Sequence, residues 1–201
     1  MQLCKLNITA FSYFFPINYY FSAPKNKHQM KNNIISFIAL TALTLSAVGQ
    51  DKKANTLPSV KVKSLDGSSV TTDAFSNDGK PIIINFWATW CKPCIHELNT
   101  IADVYKEWQK ETGVKLIALS VDDARTMNSV APFVNGKGWE YEVYLDPNGD
   151  LKRAMNVNMV PHTFLLNGKK EIVYQHTSFS PGDEENLFEK VKKVATGQPL
   201  N

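Results

Sequence analysis

Cysteine is scarce in this sequence: the 201-residue chain has three, Cys4, Cys91 and Cys94, and only the last two stand together. A closed zinc site takes four ligands, and the Cys-x-x-Cys pair has no second pair to complete one, so no metal is expected. Acids are missing from the start of the chain, where no Asp or Glu precedes Asp51. A membrane-spanning helix wants about 20 apolar residues. The apolar run Ile34 to Val48 is shorter and is dotted with Ser and Thr. Gln50 rather than Cys follows that run, which excludes a lipid anchor there, and Cys4 has no apolar run before it. No basic run and no basic–aromatic interleaving occurs, so a nucleic-acid partner is excluded. No internal repeat or low-complexity run appears after Gln50, and the length suits one domain with a proper core.

The N-terminal features describe an exported protein. Residues 1 to 29 are rich in aromatics and Asn and match no element pattern. Met30-Lys31-Asn32-Asn33 then opens a basic start, followed by the apolar run and the small-residue pattern Ala47-Val48-Gly49. That is the layout of a secretory signal peptide. Met30 is therefore read as the true start, 1–29 as an over-extended beginning, and 30–49 as the signal peptide, a retained anchor being the alternative. Residues 50–58 read as a polar linker and 59–198 as the folded domain. Lys5, Lys25, Lys27 and Lys31 precede Gln50, so the chain from there has 18 of the 22 basic residues against all 19 acids, a net −1 in place of +3. The expected location is the periplasm or cell envelope, where disulfides persist. A lone Cys-x-x-Cys there is a redox device or one structural bridge.

The surroundings of the pair favour redox chemistry. Ile82 to Trp87 is a buried-strand pattern that runs into Cys91-Lys92-Pro93-Cys94 at the start of a helical pattern. Unpaired N–H groups and the positive dipole end at a helix start favour an anion. The Cys91 thiolate is that anion, its pKa expected to fall from ~8.5 to near ~7 or below. Lys92 adds a positive charge, and Pro93 suits the first helical turn, where its missing N–H costs nothing. Cys94, one turn on, is placed to attack a mixed disulfide from inside.

The rest reads as alternating elements. Val60 to Val62 and Val70 to Thr72 flank the Asp66-Gly67 turn as a hairpin, and Asp73 to Phe75 reads as a helical turn. Ile95, Leu98, Ile101, Val104, Tyr105 and Trp108 form a 3.6-period stripe that Gly113 ends. Val114 to Val121 is a buried strand, Ala124 to Asn135 a helix weakened by Pro132, and Gly136 to Gly138 a loop. Tyr141 to Leu145 is a short strand and Leu151 to Met155 one or two helical turns. Thr163 to Leu166 and Glu171 to Gln175 flank Asn167-Gly168 as a hairpin with a type I′ turn. Ser180 caps and Pro181 opens a last helix that buries Leu187, Phe188, Val191 and Val194. Helices between strands imply parallel pairing, and the hairpins add antiparallel edges. The expected fold class is α/β, a mixed central sheet with helices on both faces.

On Asn85-Phe86-Trp87-Ala88-Thr89-Trp90-Cys91-Lys92-Pro93-Cys94, on Glu97 and on Val160-Pro161 before Thr163-Phe164-Leu165, the chain resembles the thioredoxin superfamily, most of all its secreted TlpA/ResA-type branch. The resemblance spans about residues 55 to 197, with 122–141 matching the inserted helix and strand of that branch. It implies a thioredoxin fold and a protein-disulfide reductase with a redox-active Cys91–Cys94 disulfide and no other cofactor. Cys91 is then the nucleophile and Cys94 the resolving thiol. Pro161 is cis and packs on the disulfide, and the Val160 backbone pairs with an extended substrate. Trp90, Lys92 and Pro93 line the substrate groove. Implied partners are protein disulfides, among them heme-attachment cysteines of cytochromes c, and a membrane thiol–disulfide electron donor. An oxidase or isomerase, or a copper-delivery module using both cysteines and His162, is the alternative. Two positions depart from the pattern. Asn85 stands where cytoplasmic thioredoxins keep a buried acid, which leaves Glu97, expected as a partly exposed first-turn acid, to move the Cys94 proton. His162 follows the proline where Thr is commoner; it is expected near the sulfurs, on a surface loop. His96 reads as a solvated helix residue.

Overall fold

The computed structural model describes residues 55–200. The leader expected over 1–49, Cys4, and the first residues of the 50–58 linker lie outside them. The remaining end of that linker is docked: Ile172 N–H donates to the Asn55 carbonyl at 2.7 Å and Leu57 N–H to that of Lys170 at 3.1 Å.

Seven strands form one sheet: β1 Lys61–Ser64, β2 Ser69–Thr71, β3 Ile82–Trp87, β4 Lys115–Ser120, β5 Glu142–Leu145, β6 His162–Leu166 and β7 Ile172–Thr177. Four helices join them: α1 Lys92–Thr112, α2 Val130–Lys137, α3 Asp150–Ala154 and α4 Asp183–Ala195. The strand order is β2-β1-β5-β4-β3-β6-β7. β3, β4 and β5 run parallel, while β1, β6 and β7 pair antiparallel with their neighbours. All six residues of β3 are buried, as a central strand covered on both faces requires.

Alternation along β3 divides the core in two. Ile83 and Trp87 meet Leu98, Ile101 and Trp108 of α1 and Leu187 and Val191 of α4. Ile82, Ile84 and Phe86 face the other way, onto Phe75, Leu151 and Met155. Helices thus lie on both faces, unevenly: α1, α2 and α4 against one, α3 and the turn carrying Phe75 against the other. The α1 stripe is buried as its period requires. Gly113 ends α1 in the left-handed region, φ 66°, its N–H bonded to the Gln109 carbonyl at 2.8 Å, the conformation that costs glycine least.

Local readings shift in four places. α2 begins at Val130 after a 3-10 turn Met127–Ser129, later than the expected Ala124, and continues through Gly136 to Lys137 before stopping at Gly138, so the expected 136–138 loop is mostly helix; Pro132 sits in its first turn, where no N–H is missed. The β6–β7 turn is not type I′. Lys170 N–H returns to the Asn167 carbonyl at 2.9 Å, and Lys170, not Asn167 or Gly168, takes positive φ. Gly168 is there for room: a Cβ on it would lie 1.9 Å from the Gly79 carbonyl oxygen. β7 runs to Thr177, two residues beyond its expected end. α4 starts at Asp183 with Gly182, not Ser180, at its N-cap, so Pro181 lies before the helix; the Asp183 carboxylate accepts from Ser180 N–H at 2.7 Å. Among the described residues no helix is long and apolar enough to cross a membrane.

Candidate active site

The site lies where β3 delivers the chain to α1. Cys91 is the N-cap of α1, and its sulfur accepts from Cys94 N–H at 3.3 Å. The two cysteines are joined as a disulfide. Cys91 keeps 6% exposure and Cys94 none, so an incoming disulfide meets Cys91. Trp90, 62% exposed, stands beside it, with Lys92 and Pro93 exposed on the first turn of α1. The Val160–Pro161 bond is cis. Pro161 is buried at the mouth of β6, its carbonyl accepting from Ser178 N–H at 3.0 Å. Val160 is partly buried beside it, and Val160 makes no backbone hydrogen bond among the described residues.

Behind the cysteines runs a buried polar chain. Asn85 Nδ2 donates to Thr163 Oγ1 at 2.7 Å, and Thr163 Oγ1 donates to Glu97 Oε1 at 2.8 Å. Thr163 has one proton to give, so the order fixes Asn85 as donor and Glu97 as acceptor. Asn85 is fully buried and Glu97 is 1% exposed, which corrects the expectation of a partly exposed acid. The reason is the sheet. Asn85 and Thr163 are register partners, as are Thr163 and His176. The three side chains form one row across β3, β6 and β7 on the face α1 covers, and Glu97 comes down onto that row one turn beyond Cys94. His176 Nε2 lies 3.5 Å from Glu97 Oε1. Tyr141 donates to the Leu98 carbonyl at 2.9 Å; burial, then the charge of Glu97, push its hydroxyl pKa upward.

His162 is not where it was expected. It is the first residue of β6, so its side chain points opposite to that of Thr163. It is buried, stacks on Phe164 at 4.4 Å, and its Nε2 pairs with Gln175 Oε1 at 3.2 Å. Burial holds its pKa below the ordinary 6.5, partly offset by Gln175. It belongs to the sheet face away from the cysteines and borders a cavity of about 780 Å³ shared with Phe164, Met155 and Asn55. The copper-delivery alternative loses the ligand it was built on. His96 is exposed as expected, its ring against Phe179 at 5.3 Å.

Three participants escaped the sequence reading. Asp122, fully buried, accepts from Thr89 N–H at 2.8 Å, Thr89 Oγ1 at 2.6 Å and Ser120 Oγ at 2.8 Å, and so latches the turn before Cys91 to the end of β4. The only hint was an acid at the exit of an apolar strand. Met159, 57% exposed just before the cis peptide, pairs with Trp90 as the second large apolar side chain left in solvent near the site. His176 lay past the expected end of β7; extending the alternation of Tyr174 by two residues finds it.

A family model described as "AhpC/TSA family" matches residues 54–175. The thiol-disulfide oxidoreductase ResA of Bacillus cereus is 30% identical over 178 residues, covering 82% of this chain and 99% of that protein. The sporulation thiol-disulfide oxidoreductase A of Bacillus subtilis is 28% identical over 157 residues, 77% of this chain and 92% of that one. The solution structure of a thioredoxin-like protein from Porphyromonas gingivalis, 48% identical, superposes with a TM-score of 0.64 over 71% of this chain and 94% of its own.

Proposed function

The chain belongs to the AhpC/TSA family and is a thiol–disulfide oxidoreductase with the thioredoxin fold, and from that premise we propose that it works in the periplasm or cell envelope as a reductase of protein disulfides. The observation that carries the reading is the asymmetry of the Cys91–Cys94 pair. One sulfur reaches solvent at a helix N-terminus; the other is sealed above a buried carboxyl group.

In the reduced enzyme the Cys91 thiolate, favoured by the N–H groups of the first turn of α1, attacks a substrate disulfide. The substrate S–S bond breaks, a Cys91–substrate disulfide forms, and the first substrate thiolate leaves and takes a proton. Cys94 then gives its proton to Glu97 and attacks the Cys91 sulfur. The Cys91–Cys94 bond forms and the second substrate thiolate departs. Two electrons pass from the dithiol to the substrate. General-base help of this kind is worth ~10²–10⁴-fold. Exposed Trp90, next to Cys91, and Met159, next to Val160, offer apolar contacts to a substrate, and the unpaired backbone of Val160 suits strand addition by an extended segment. Heme-attachment cysteines of cytochromes c fit as substrates, with a membrane thiol–disulfide donor restoring the dithiol.

Two measurements test this. Cys94→Ser should trap a covalent mixed disulfide that Cys91→Ser does not; equal trapping by both overturns the division of roles. The reduction potential tests direction. A couple near the ~−270 mV of thioredoxin fits a reductase, and one near ~−120 mV, as in a strong oxidant, overturns that direction.

A further inference from the structure

Glu97 and His176 each carry buried polar atoms with nothing else to satisfy them. Glu97 Oε1 takes the Thr163 hydroxyl, but among the described residues Oε2 has no hydrogen-bond partner. Nor, among those residues, does either ring nitrogen of His176 make a hydrogen bond, yet Nε2 sits 3.5 Å from Glu97 Oε1. A buried polar group without a partner is costly, and an imidazole facing a carboxyl group can share one proton with it. Glu97 is the only acid within ion-pair reach of His176 among the described residues.

We propose that His176 is a positioning residue for the exchange reaction: its imidazole orients Glu97 from β7 and takes over the proton that Glu97 receives from Cys94. The inference rests on the reading of Glu97 as the acceptor of that proton. In the resolving step the Cys94 S–H bond breaks and the proton goes to Glu97. It then passes to His176 Nε2, so that a carboxylate and an imidazolium replace a neutral acid and a neutral ring. Glu97 is thereby ready as acceptor while the proton is held on the outer strand β7.

The surroundings single out this pair. From α1, the other titratable neighbour is His96, which turns outward onto Phe179. From β6, His162 lies on the opposite face, where the charge of His176 adds to the burial that lowers its pKa. Just before β5, the Tyr141 hydroxyl donates a hydrogen bond to the Leu98 carbonyl and keeps its proton. On β7, Tyr174 lies 5.7 Å from the His176 ring. From α4, Lys190 sits 4.7 Å over the Tyr174 ring and Asp183 acts on the same tyrosine. None of these sits between His176 and Glu97.

The test uses the enzyme with a thionitrobenzoate mixed disulfide formed on Cys91, and follows release of thionitrobenzoate by stopped flow across a pH series. Parent, Glu97→Gln, His176→Gln and the double variant are compared, with circular dichroism confirming the fold. His176→Gln is expected to slow resolution about tenfold near neutral pH, part of the ~10²–10⁴-fold that general-base help is worth. The deficit should vanish at high pH, where Cys94 ionises unaided. The double variant should be no slower than Glu97→Gln alone. Histidine NMR of the parent at one fixed pH should show His176 ring signals that move in Glu97→Gln, a readout that stands even if His176→Gln folds poorly. A parental profile for His176→Gln beside a slow Glu97→Gln overturns the role of His176 and leaves that of Glu97 standing. So does a deficit that is equal at every pH and additive in the double variant. A parental profile for Glu97→Gln overturns both.

Discussion

Asp122 is the strongest lever on the site that does not touch a sulfur. Its fully buried carboxylate accepts three hydrogen bonds, two from Thr89 and one from Ser120. Replacing it with Ala leaves the Thr89 N–H and hydroxyl facing an emptied space. A hydrogen bond to a charged group contributes about 1.5–3 kcal/mol net, and an orphaned buried donor costs about 1–3 kcal/mol. The three bonds share one acceptor group and do not add fully, so Asp122→Ala should cost about 3–5 kcal/mol. That is a large part of the ~5–15 kcal/mol that holds a domain folded. Asp122→Asn separates the contributions. Its amide oxygen in the Oδ2 position still accepts from Thr89 N–H and Ser120, and the Thr89 hydroxyl can rotate to accept from the new NH₂. About 1–2 kcal/mol should be lost. Urea denaturation of the oxidised protein measures both. Because the latch holds the turn that leads into Cys91, Asp122→Ala should also lower the rate of mixed-disulfide formation while the protein is still folded. A loss below about 1 kcal/mol for Asp122→Ala, with an unchanged rate, would refute the latch.

The remaining expectations are briefer. His162 is held below its ordinary 6.5 by burial, so between 6.5 and its lower folded value the unfolded chain binds the proton and the native chain does not. Stability should therefore fall as pH drops through that window; His162→Gln should flatten this dependence, and an unchanged slope in pH-dependent denaturation curves would contradict the burial. Gly168→Ala should destabilise by at least ~1–3 kcal/mol, because its Cβ meets the Gly79 carbonyl backbone rather than a side chain that can move; a midpoint equal to the parent's in urea would show that the turn yields. Trp90→Ala should leave the melting temperature nearly unchanged, since the ring is exposed, while raising KM for a protein disulfide more than for a small one; equal effects on both would remove it from the substrate surface.

Much of the fold was legible because period and punctuation agreed. The α1 stripe, the continuous apolar run of β3 and Gly113 each had one physical reading, and each stands in the structure. What failed was chemistry that depends on a neighbour not adjacent in sequence. Asn167-Gly168 satisfies the type I′ preference, yet Gly79 approaches from another loop and sets the reason for Gly168. Gly136 looked like a break, but Val130 and Val134 are buried in the core and carry α2 past it. Glu97 looked like a solvated first-turn acid because its position on the helix says nothing of the strands beneath; only the register of β3, β6 and β7 puts Asn85, Thr163 and His176 under it.

The two histidines show how little separates a site residue from a neighbour of the site. His162 follows the cis proline and is the nearer in sequence to the features that mark the active centre, but side chains on a strand alternate, and its parity sends it to the Phe164 face. His176 is fourteen residues further on, at the outer strand, and shares the parity of Thr163 through direct pairing. A slip of one residue in β7 against β6 would turn His176 away from Glu97 and leave His162 where it is. The register is held against that slip by the apolar residues of β7: Tyr174, opposite Leu165, packs on the cluster that α1 covers and Ile172 on the other. Core packing at Tyr174 and at its partner Leu165 therefore decides whether Glu97 meets the His176 imidazole. A substitution that loosens either should change the chemistry behind Cys94 before it touches a sulfur: Leu165→Ala, about 2–5 kcal/mol less stable, should lose resolution rate near neutral pH in the direction of His176→Gln, and a resolution rate that stays parental in the folded Leu165→Ala protein would separate register from catalysis.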